Sequence, residues 1–546
     1  MNLLAFGLLA LVTGIPVAAG LGITLLKGLS PSAWSYVLAT PGLWKSLALS
    51  LWTGAASTLI ALAIAHVAVA LAGPSRWVSQ VRAAIVPLLA LPHLAVAIGL
   101  ALVLSPSGLI IRLLSPWATG YQQPPDWMTI HDSLGLSLIV GLVTKEAPFL
   151  ALMLLGALGQ VPSDRLMLSC RTLGYGRLKS WLAGVAPLLQ RQIHLPLAAV
   201  FVFGMTNVEM AIPLGPQTPP TFSIVLWQWF TASRLELQDA AYAGAILLLG
   251  VTIAGLLALS LAGRIGKTAF EWIATSGRRA ARDGRLRVVM LALPVGVLLL
   301  GGSALLALAL RAGSRMWRFP RVLTDGVGWT TVTSAAPSVG GAMITTLAIG
   351  GVVAIIVVGL ALALSELLVH RPRWRRAVGL WLFVPLVLPQ LAFLFGLTWL
   401  MTWLRLDGTL TAVMWYHVLF ALPYAWGVIA AARAALDPRY PLVARTLGAG
   451  PLRTWWAVTA PLLLRSTLLA AALAFAVSAA VYLPTLFAGA GRVITVATEA
   501  AGAAASGNLR TAAVYGAFQA LLPLGAFAAA ALGARTVFPR FGGVPR

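Results

Sequence analysis

The sequence predicts an all-α integral membrane protein of about twelve transmembrane helices, arranged as two six-helix repeats in the same orientation. Three observations support this. Of 546 residues, 60% are apolar and only 10% are charged, against about 25% charged in an ordinary soluble domain. The apolar residues gather in runs long enough to cross a bilayer. One stretch of the first half also recurs in the second. A soluble multidomain enzyme and a disordered chain are both excluded, because so few charges cannot cover a water-facing surface.

A bilayer-spanning helix needs roughly 20 mostly apolar residues. Six segments of that length lie in the first half, near 3–26, 47–72, 83–104, 134–157, 194–215 and 240–262. Six more lie near 288–310, 341–365, 378–402, 411–435, 468–488 and 512–533. Segment 134–157 contains Lys145 and Glu146, and segment 194–215 contains Glu209. Two shorter stretches, near 108–119 and 221–231, suit re-entrant or amphipathic turns. The first segment reads as a retained helix. No basic residue precedes it, and it exceeds the apolar core of a signal peptide, about 7–15 residues.

The net charge of +24 is mainly a topology signal, because Lys and Arg concentrate in cytoplasmic loops. With both termini cytoplasmic, 26 basic residues fall inside and 11 outside, Lys145 lying within a span. The inside groups are Arg76 and Arg82, Arg165 to Arg191, Arg264 to Arg287, Arg371 to Arg376, Arg433 to Arg465, and Arg535, Arg540 and Arg546. One loop runs against the trend, with Arg311, Arg315, Arg318 and Arg321 outside. A nucleic-acid role is not expected, since the arginines are scattered over short loops rather than gathered on one face. The single cysteine, Cys170, excludes an internal disulfide and a cysteine-based metal cluster.

The repeat is the most informative feature. Residues 171–174 read Arg-Thr-Leu-Gly, and so do residues 445–448, an offset of 274. On the same offset Gly176 matches Gly450, Trp181 matches Trp455, Pro187-Leu188-Leu189 matches Pro461-Leu462-Leu463, and Arg191 matches Arg465. Earlier, Val86-Pro87-Leu88 and Pro92 resemble Val384-Pro385-Leu386 and Pro389 at an offset of 297–298. The change locates about 24 extra residues of the first half in loop 105–132. The expected organisation is a first repeat at 1–262, a basic cytoplasmic linker at 263–287 and a second repeat at 288–546. A two-fold axis along the membrane normal follows, with a path between the halves.

Both recurring loops are cytoplasmic and about 30 residues long. Each is expected to open with a helix-capping acid, Asp164 or Asp437. A short helix then ends at Gly174 or Gly448, as suits a left-handed terminus. A second helix leads to Pro187 or Pro461 at the membrane surface. Loops normally diverge faster than the elements they join. Here they match better than the spans, so each is expected to meet the same protein partner.

The loops resemble the EAA loops of the membrane subunits of bacterial ATP-binding-cassette (ABC) importers. The family pattern is Glu-Ala-Ala, three residues, Gly, nine residues, Ile, one residue, Leu-Pro. Gly174 and Pro187 match at that spacing, and so do Gly448 and Pro461. The family Glu falls on Leu168 and Leu442, its Ala pair on Ser169-Cys170 and Val443-Ala444, and its Ile on Gly184 and Val458. The resemblance covers nearly the whole chain and is closest to fused permeases of the ferric-iron and thiamine type. The stretch Tyr482-Leu483-Pro484-Thr485-Leu486 followed by Gly489-Ala490-Gly491-Arg492 is similar to a thiamine-permease-like group.

The resemblance implies a type I importer permease in the bacterial inner membrane. Two copies of a cytoplasmic ATPase subunit would each grip one loop, and a periplasmic solute-binding protein would deliver the solute. The residues implicated in coupling are Asp164, Arg171, Thr172, Leu173, Gly174 and Pro187, with Asp437, Arg445, Thr446, Leu447, Gly448 and Pro461. ATP and Mg would be bound by the partners. Gly266-Lys267-Thr268 is the nearest approach to a phosphate-binding loop. Leu261 stands where the first glycine is needed and no strand precedes it, so it reads as basic linker. No cofactor, metal or catalytic residue is expected in this chain.

Ionisable groups within spans are costly and usually face a path or a partner. Lys145 and Glu146 point about 100° apart on a helix, and suit either a path lining or bonds to neighbouring helices. Glu209 stands beside Asn207 in the fifth span, which lines the central path in similar permeases. Tyr482 and Thr485 occupy the corresponding place in the second half without an acid. One acid in an asymmetric path favours a small cation, leaving thiamine-like cations, ferric iron and other small organic solutes open. His66, His93 and His417 show no metal-ligand spacing and read as structural. Trp77, Trp227, Trp229, Trp374 and Trp403 read as an interfacial belt.

The alternative is a twelve-helix, ion-coupled secondary transporter. Its expected Gly-acid-Arg pattern is missing from loops 73–82 and 370–376. A membrane-embedded enzyme would need clustered acids or histidines near one face, and these are missing too.

Overall fold

The computed structural model describes residues 7–72, 88–275, 284–314, 316–324, 326 and 329–537. Apart from isolated bridge positions such as Gln217 and Pro220, the regular structure of these residues is helical. Among the described residues, ten helices are long and apolar enough to cross a membrane, or up to twelve if each of two bent pairs forms one span. Arg76, Arg82, Val86-Pro87, Arg315, Arg540, Arg546 and the start of segments 3–26 and 83–104 lie outside the described residues.

The first half runs through α1 (Gly7–Gly28), α2 (Pro31–Ala39), α3 (Leu43–Ala72), α4 (His93–Leu104), α5 (Leu109–Leu114) and α6 (Leu136–Leu158). It continues with α7 (Ser163–Thr172), α8 (Arg177–Gln190), α9 (His194–Thr206), α10 (Ala211–Leu214), α11 (Phe222–Thr231) and α12 (Leu235–Thr275). The second half holds α13 (Gly284–Gly313), α14 (Trp329–Leu367), α15 (Pro372–Val387), α16 (Gln390–Trp403) and α17 (Leu410–Ala435). It ends with α18 (Arg439–Thr446), α19 (Pro451–Ala480), α20 (Leu483–Gly489), α21 (Val496–Ala505) and α22 (Leu509–Val537). The two short stretches expected as turns are α5 and α11.

Four expected spans are broken rather than continuous. Segment 378–402 bends by 91° between α15 and α16. Proline disfavours the helical region for the residue before it, and Leu388 is extended at φ −88°, ψ 143° ahead of Pro389. Segment 83–104 is interrupted at Pro92, which is extended at φ −63°, ψ 145° just before α4. Segment 194–215 stops at Asn207, and segment 468–488 stops at Val481. Much of the stretch expected as a linker, 263–287, is helical. Residues 263–275 continue the sixth expected span as part of helix α12, 276–283 lie outside the described residues, and α13 begins at Gly284.

The halves interlock through their leading helices. α1 lies along α16, and the Thr24 hydroxyl accepts the Gly396 N–H at 3.0 Å. A Cβ on Gly396 would collide with the Gly20 carbonyl, so the two backbones touch there. Reciprocally, α13 packs on α4, and a Cβ on Gly99 would meet the Ala304 carbonyl at 2.5 Å. Small residues at such crossings let membrane helices approach closely where no hydrophobic drive exists.

The loop with the anomalous arginines is a built element. Arg112 is 4% exposed and donates to the carbonyls of Ser107, Trp317, Arg318 and Arg321 at 2.7–3.1 Å. Its guanidinium also lies over Trp317, 4.5 Å from the ring centre. Its charge is therefore met by backbone dipoles and π faces. Asp132 secures the start of α6 by accepting from the Leu136 and Ser137 N–H groups and the Ser137 hydroxyl. Burial alone would push its carboxyl up, but these bonds outweigh that and hold it below the usual carboxylate range.

The tryptophan belt is only partly correct. Trp374 and Trp403 are exposed, at 45% and 68%. Trp229 is buried among Tyr36 and Phe222, and the Trp227 indole nitrogen is buried too. Helix α11 packs on α12, α3 and α16, which covers the Trp229 ring and the Trp227 nitrogen. Trp77 lies outside the described residues.

Candidate functional site

The two recurring loops share one backbone path. α7 and α18 each end in a left-handed glycine, Gly174 and Gly448, both at φ 86°. Gly174 N–H donates to Arg171 and Tyr175 N–H to Cys170, while Gly448 donates to Arg445 and Ala449 to Ala444. Both ends are thus Schellman motifs, which need a residue that tolerates positive φ. Gly176 and Gly450 then repeat φ −64°, ψ 165°. Each second helix opens a π-turn at the matched tryptophan, Trp181–Val185 and Trp455–Thr459. Thr172 and Thr446 each bond back three residues, to the Ser169 and Val443 carbonyls at 2.8 Å. Pro187 and Pro461 each follow a π-turn by two residues, at matched places within α8 and α19.

One capping expectation fails. Asp164 lies inside the first turn of α7, and no side chain caps that helix. The helix starts two residues earlier than expected, with Pro162 at the N-cap, so the carboxylate favours the helix dipole without accepting an N–H. Asp437 does accept an N–H, from Arg439 at 2.9 Å. Outward from both loops point apolar side chains. Leu168 and Leu173 are 63% and 57% exposed, Leu442 and Leu447 60% and 82%.

The loops are fixed to their spans by different means. In the first half, the Trp181 indole N–H donates to His66 Nδ1 at 3.3 Å, and Gln190 lies 3.4 Å from His66 Nε2. Arg177 donates to the Ala70 carbonyl at the end of α3. In the second half, the Trp455 indole nitrogen is buried without a partner. Close to that loop, a bidentate pair between Arg433 and Glu366, at 2.7 and 3.1 Å, joins the spans α17 and α14.

Lys145 and Glu146 serve the break before Pro92. Lys145 is 3% exposed and donates to the carbonyls of Leu88, Leu89 and Leu91 at 2.9, 3.3 and 2.6 Å. A helix end leaves such carbonyls without partners, and the ammonium supplies three donors. Glu146 lies 3.3 Å from His93 Nε2.

The remaining path candidates meet where two broken helices face each other. α9 ends at Asn207 with φ −70°, ψ 126°, and α19 ends at Val481 with φ −69°, ψ 123°. These positions are again 274 apart, a signal present in the sequence offset but masked by unbroken apolar composition. Asn207 Oδ1 accepts the Met210 N–H at 2.6 Å. Glu209 crosses to the other half, accepting the Tyr482 N–H at 3.1 Å. Thr485 donates to the Val481 carbonyl at 2.8 Å and lies 2.9 Å from His417 Nε2. His417 Nδ1 lies 2.7 Å from the Ser478 hydroxyl. His417 therefore bridges the Ser478 and Thr485 hydroxyls and braces the break.

No family model matches the chain. It is 31% identical, over 511 residues, to the inner membrane ABC transporter permease protein YnjC of Escherichia coli (strain K12), an alignment covering 93% of this chain and 92% of that protein. With its all-helical, multi-pass architecture, the chain belongs to the ABC transporter permeases.

Proposed function

We propose that the chain is a fused, two-repeat importer permease of the ferric-iron and thiamine type. It forms the solute path of an inner-membrane complex and couples ATP hydrolysis by two partner ATPase subunits to uptake by alternating access. The supporting observation is the pair of loops with the same glycine-terminated, π-turned backbone and an outward apolar face. Each loop would seat in one ATPase copy and act as a rigid lever on the bundle. A periplasmic binding protein would deliver the solute to the opposite face, and both termini would be cytoplasmic. Membership of the ABC permease family argues against the ion-coupled alternative.

The single cysteine allows a direct test. Cys170 is partly exposed in the first loop. A membrane-impermeant maleimide should label it in inverted vesicles and not in right-side-out ones. Addition of the partner ATPase should protect it. Labelling from the periplasmic side would overturn the orientation, and unprotected labelling would overturn the coupling role.

A further inference from the structure

Positive charge normally gathers on the cytoplasmic side, yet an arginine cluster stands at the end of the bundle away from the coupling loops. Arg311 lies in the last turn of α13, and Arg510 is the second residue of α22. The two helices pack together. Ser314 links their ends. Its hydroxyl donates to the Arg311 carbonyl at 2.9 Å, and its carbonyl accepts from Arg510 Nη2 at 3.1 Å. Arg311 is thereby held within repelling range of Arg510 and also of Arg112. Arg112 spends its donors on loop carbonyls, so it adds charge without being free for a ligand. Neither Arg311 nor Arg510 makes an ion pair among the described residues. Both are half-buried, and the Arg510 Nε is buried without a hydrogen-bond partner. Guanidiniums do not shed their protons. Like charges held together in this way call for an anion.

The position of the cluster says which anion. Arg311 and Arg510 sit at the ends of membrane spans, the height of lipid headgroups. Deeper along α22 lies an apolar groove of about 410 Å³, lined by Met343 and Leu347 of α14, Phe475 of α19, and Phe518, Leu521 and Gly525 of α22. Leu347 and Leu521 are exposed, so the groove opens on the side of the bundle. Phe518 and Leu521 lie about 12 and 17 Å along the helix axis from Arg510. That is the depth of one leaflet's chains in a hydrocarbon core of roughly 30 Å. Leu521, about three turns on, also returns to nearly the same side of α22 as Arg510.

We propose that Arg311 and Arg510 bind the phosphodiester of an anionic phospholipid, one acyl chain of which lies in the groove between α14, α19 and α22. Guanidinium forks match paired phosphate oxygens, and a net negative headgroup offsets the unmet positive charge. The lipid braces α14 and α22 against α19, whose first turns belong to the second coupling loop. The site needs only the membrane bundle and stands independently of the importer reading.

The test uses the full-length chain, delipidated in mild detergent, with three probes: phosphatidylglycerol, phosphatidylcholine with the same chains, and inorganic phosphate. Thermal unfolding measures stabilisation, and native mass spectrometry counts retained lipid. Phosphatidylglycerol should stabilise the protein saturably. Phosphatidylcholine should act at least tenfold more weakly, and inorganic phosphate should have no effect at the same concentration. Replacing Arg311→Gln and Arg510→Gln together should weaken phosphatidylglycerol at least tenfold. Gly525→Leu should weaken it too by filling the groove. A Cβ there meets nothing within 4 Å, so this variant carries the test if the double Gln variant folds poorly. Undiminished phosphatidylglycerol binding in either variant would overturn the site. So would phosphatidylcholine of equal strength. Inorganic phosphate as effective as phosphatidylglycerol would overturn the lipid assignment in favour of a free-anion site.

Discussion

Replacing Gly174 and Gly448 together by valine is expected to leave the chain folded, yet abolish its association with the partner ATPase and ATP-driven uptake. Both glycines sit at φ 86°, where an L side chain costs about 1–2 kcal/mol. A Cβ at Gly448 meets nothing within 4 Å. The strain is therefore relieved by moving the loop rather than by unfolding the bundle. α7 and α18 would lose their Schellman ends, and the apolar faces around Leu168 and Leu442 would turn away from their partners. Either single replacement should impair coupling without ending it, because the other loop is intact. Size-exclusion co-elution and transport-stimulated ATP hydrolysis report both effects. Full association and uptake in the double variant would refute the lever role.

Lys145→Met is expected to be the most destabilising single change within the spans. The side chain is similar in length, but the carbonyls of Leu88, Leu89 and Leu91 lose their donor. Glu146 loses its adjacent cation as well. Breaking such a buried arrangement costs about 3–5 kcal/mol, and water cannot replace the lost donor deep in a bilayer. Glu146→Gln should cost far less, since an amide can still meet His93. Denaturant unfolding in detergent of wild type and both variants measures the difference. A Lys145→Met protein as stable as wild type would show that the helix end needs no cap.

The spans and the loops were legible in the sequence because each has a local signature. Continuous apolar runs identify membrane helices, and the 274-residue offset aligned Gly174 with Gly448 and Trp181 with Trp455. The breaks were less legible. Asn207 and Val481 end their helices inside runs whose composition does not change, so hydropathy alone carries straight through. The task of Lys145 was hidden because its acceptors lie 54–57 residues away. Trp227 and Trp229 were read as interfacial from their place near a segment end. Their cover comes from the packing of α11 on α12, α3 and α16, a tertiary event without a local code. Glu209 was recognisable as unusual from its type and setting, but not its bond across the halves to Tyr482.

The central claim is that one chain carries two equivalent grips for one kind of ATPase. The most direct measurement is the composition of the complex purified in mild detergent from the native host, with copy number read by native mass spectrometry. Two identical ATPase subunits per permease chain are expected. A folded, monodisperse chain carrying no ATPase, or only one copy, would contradict the account.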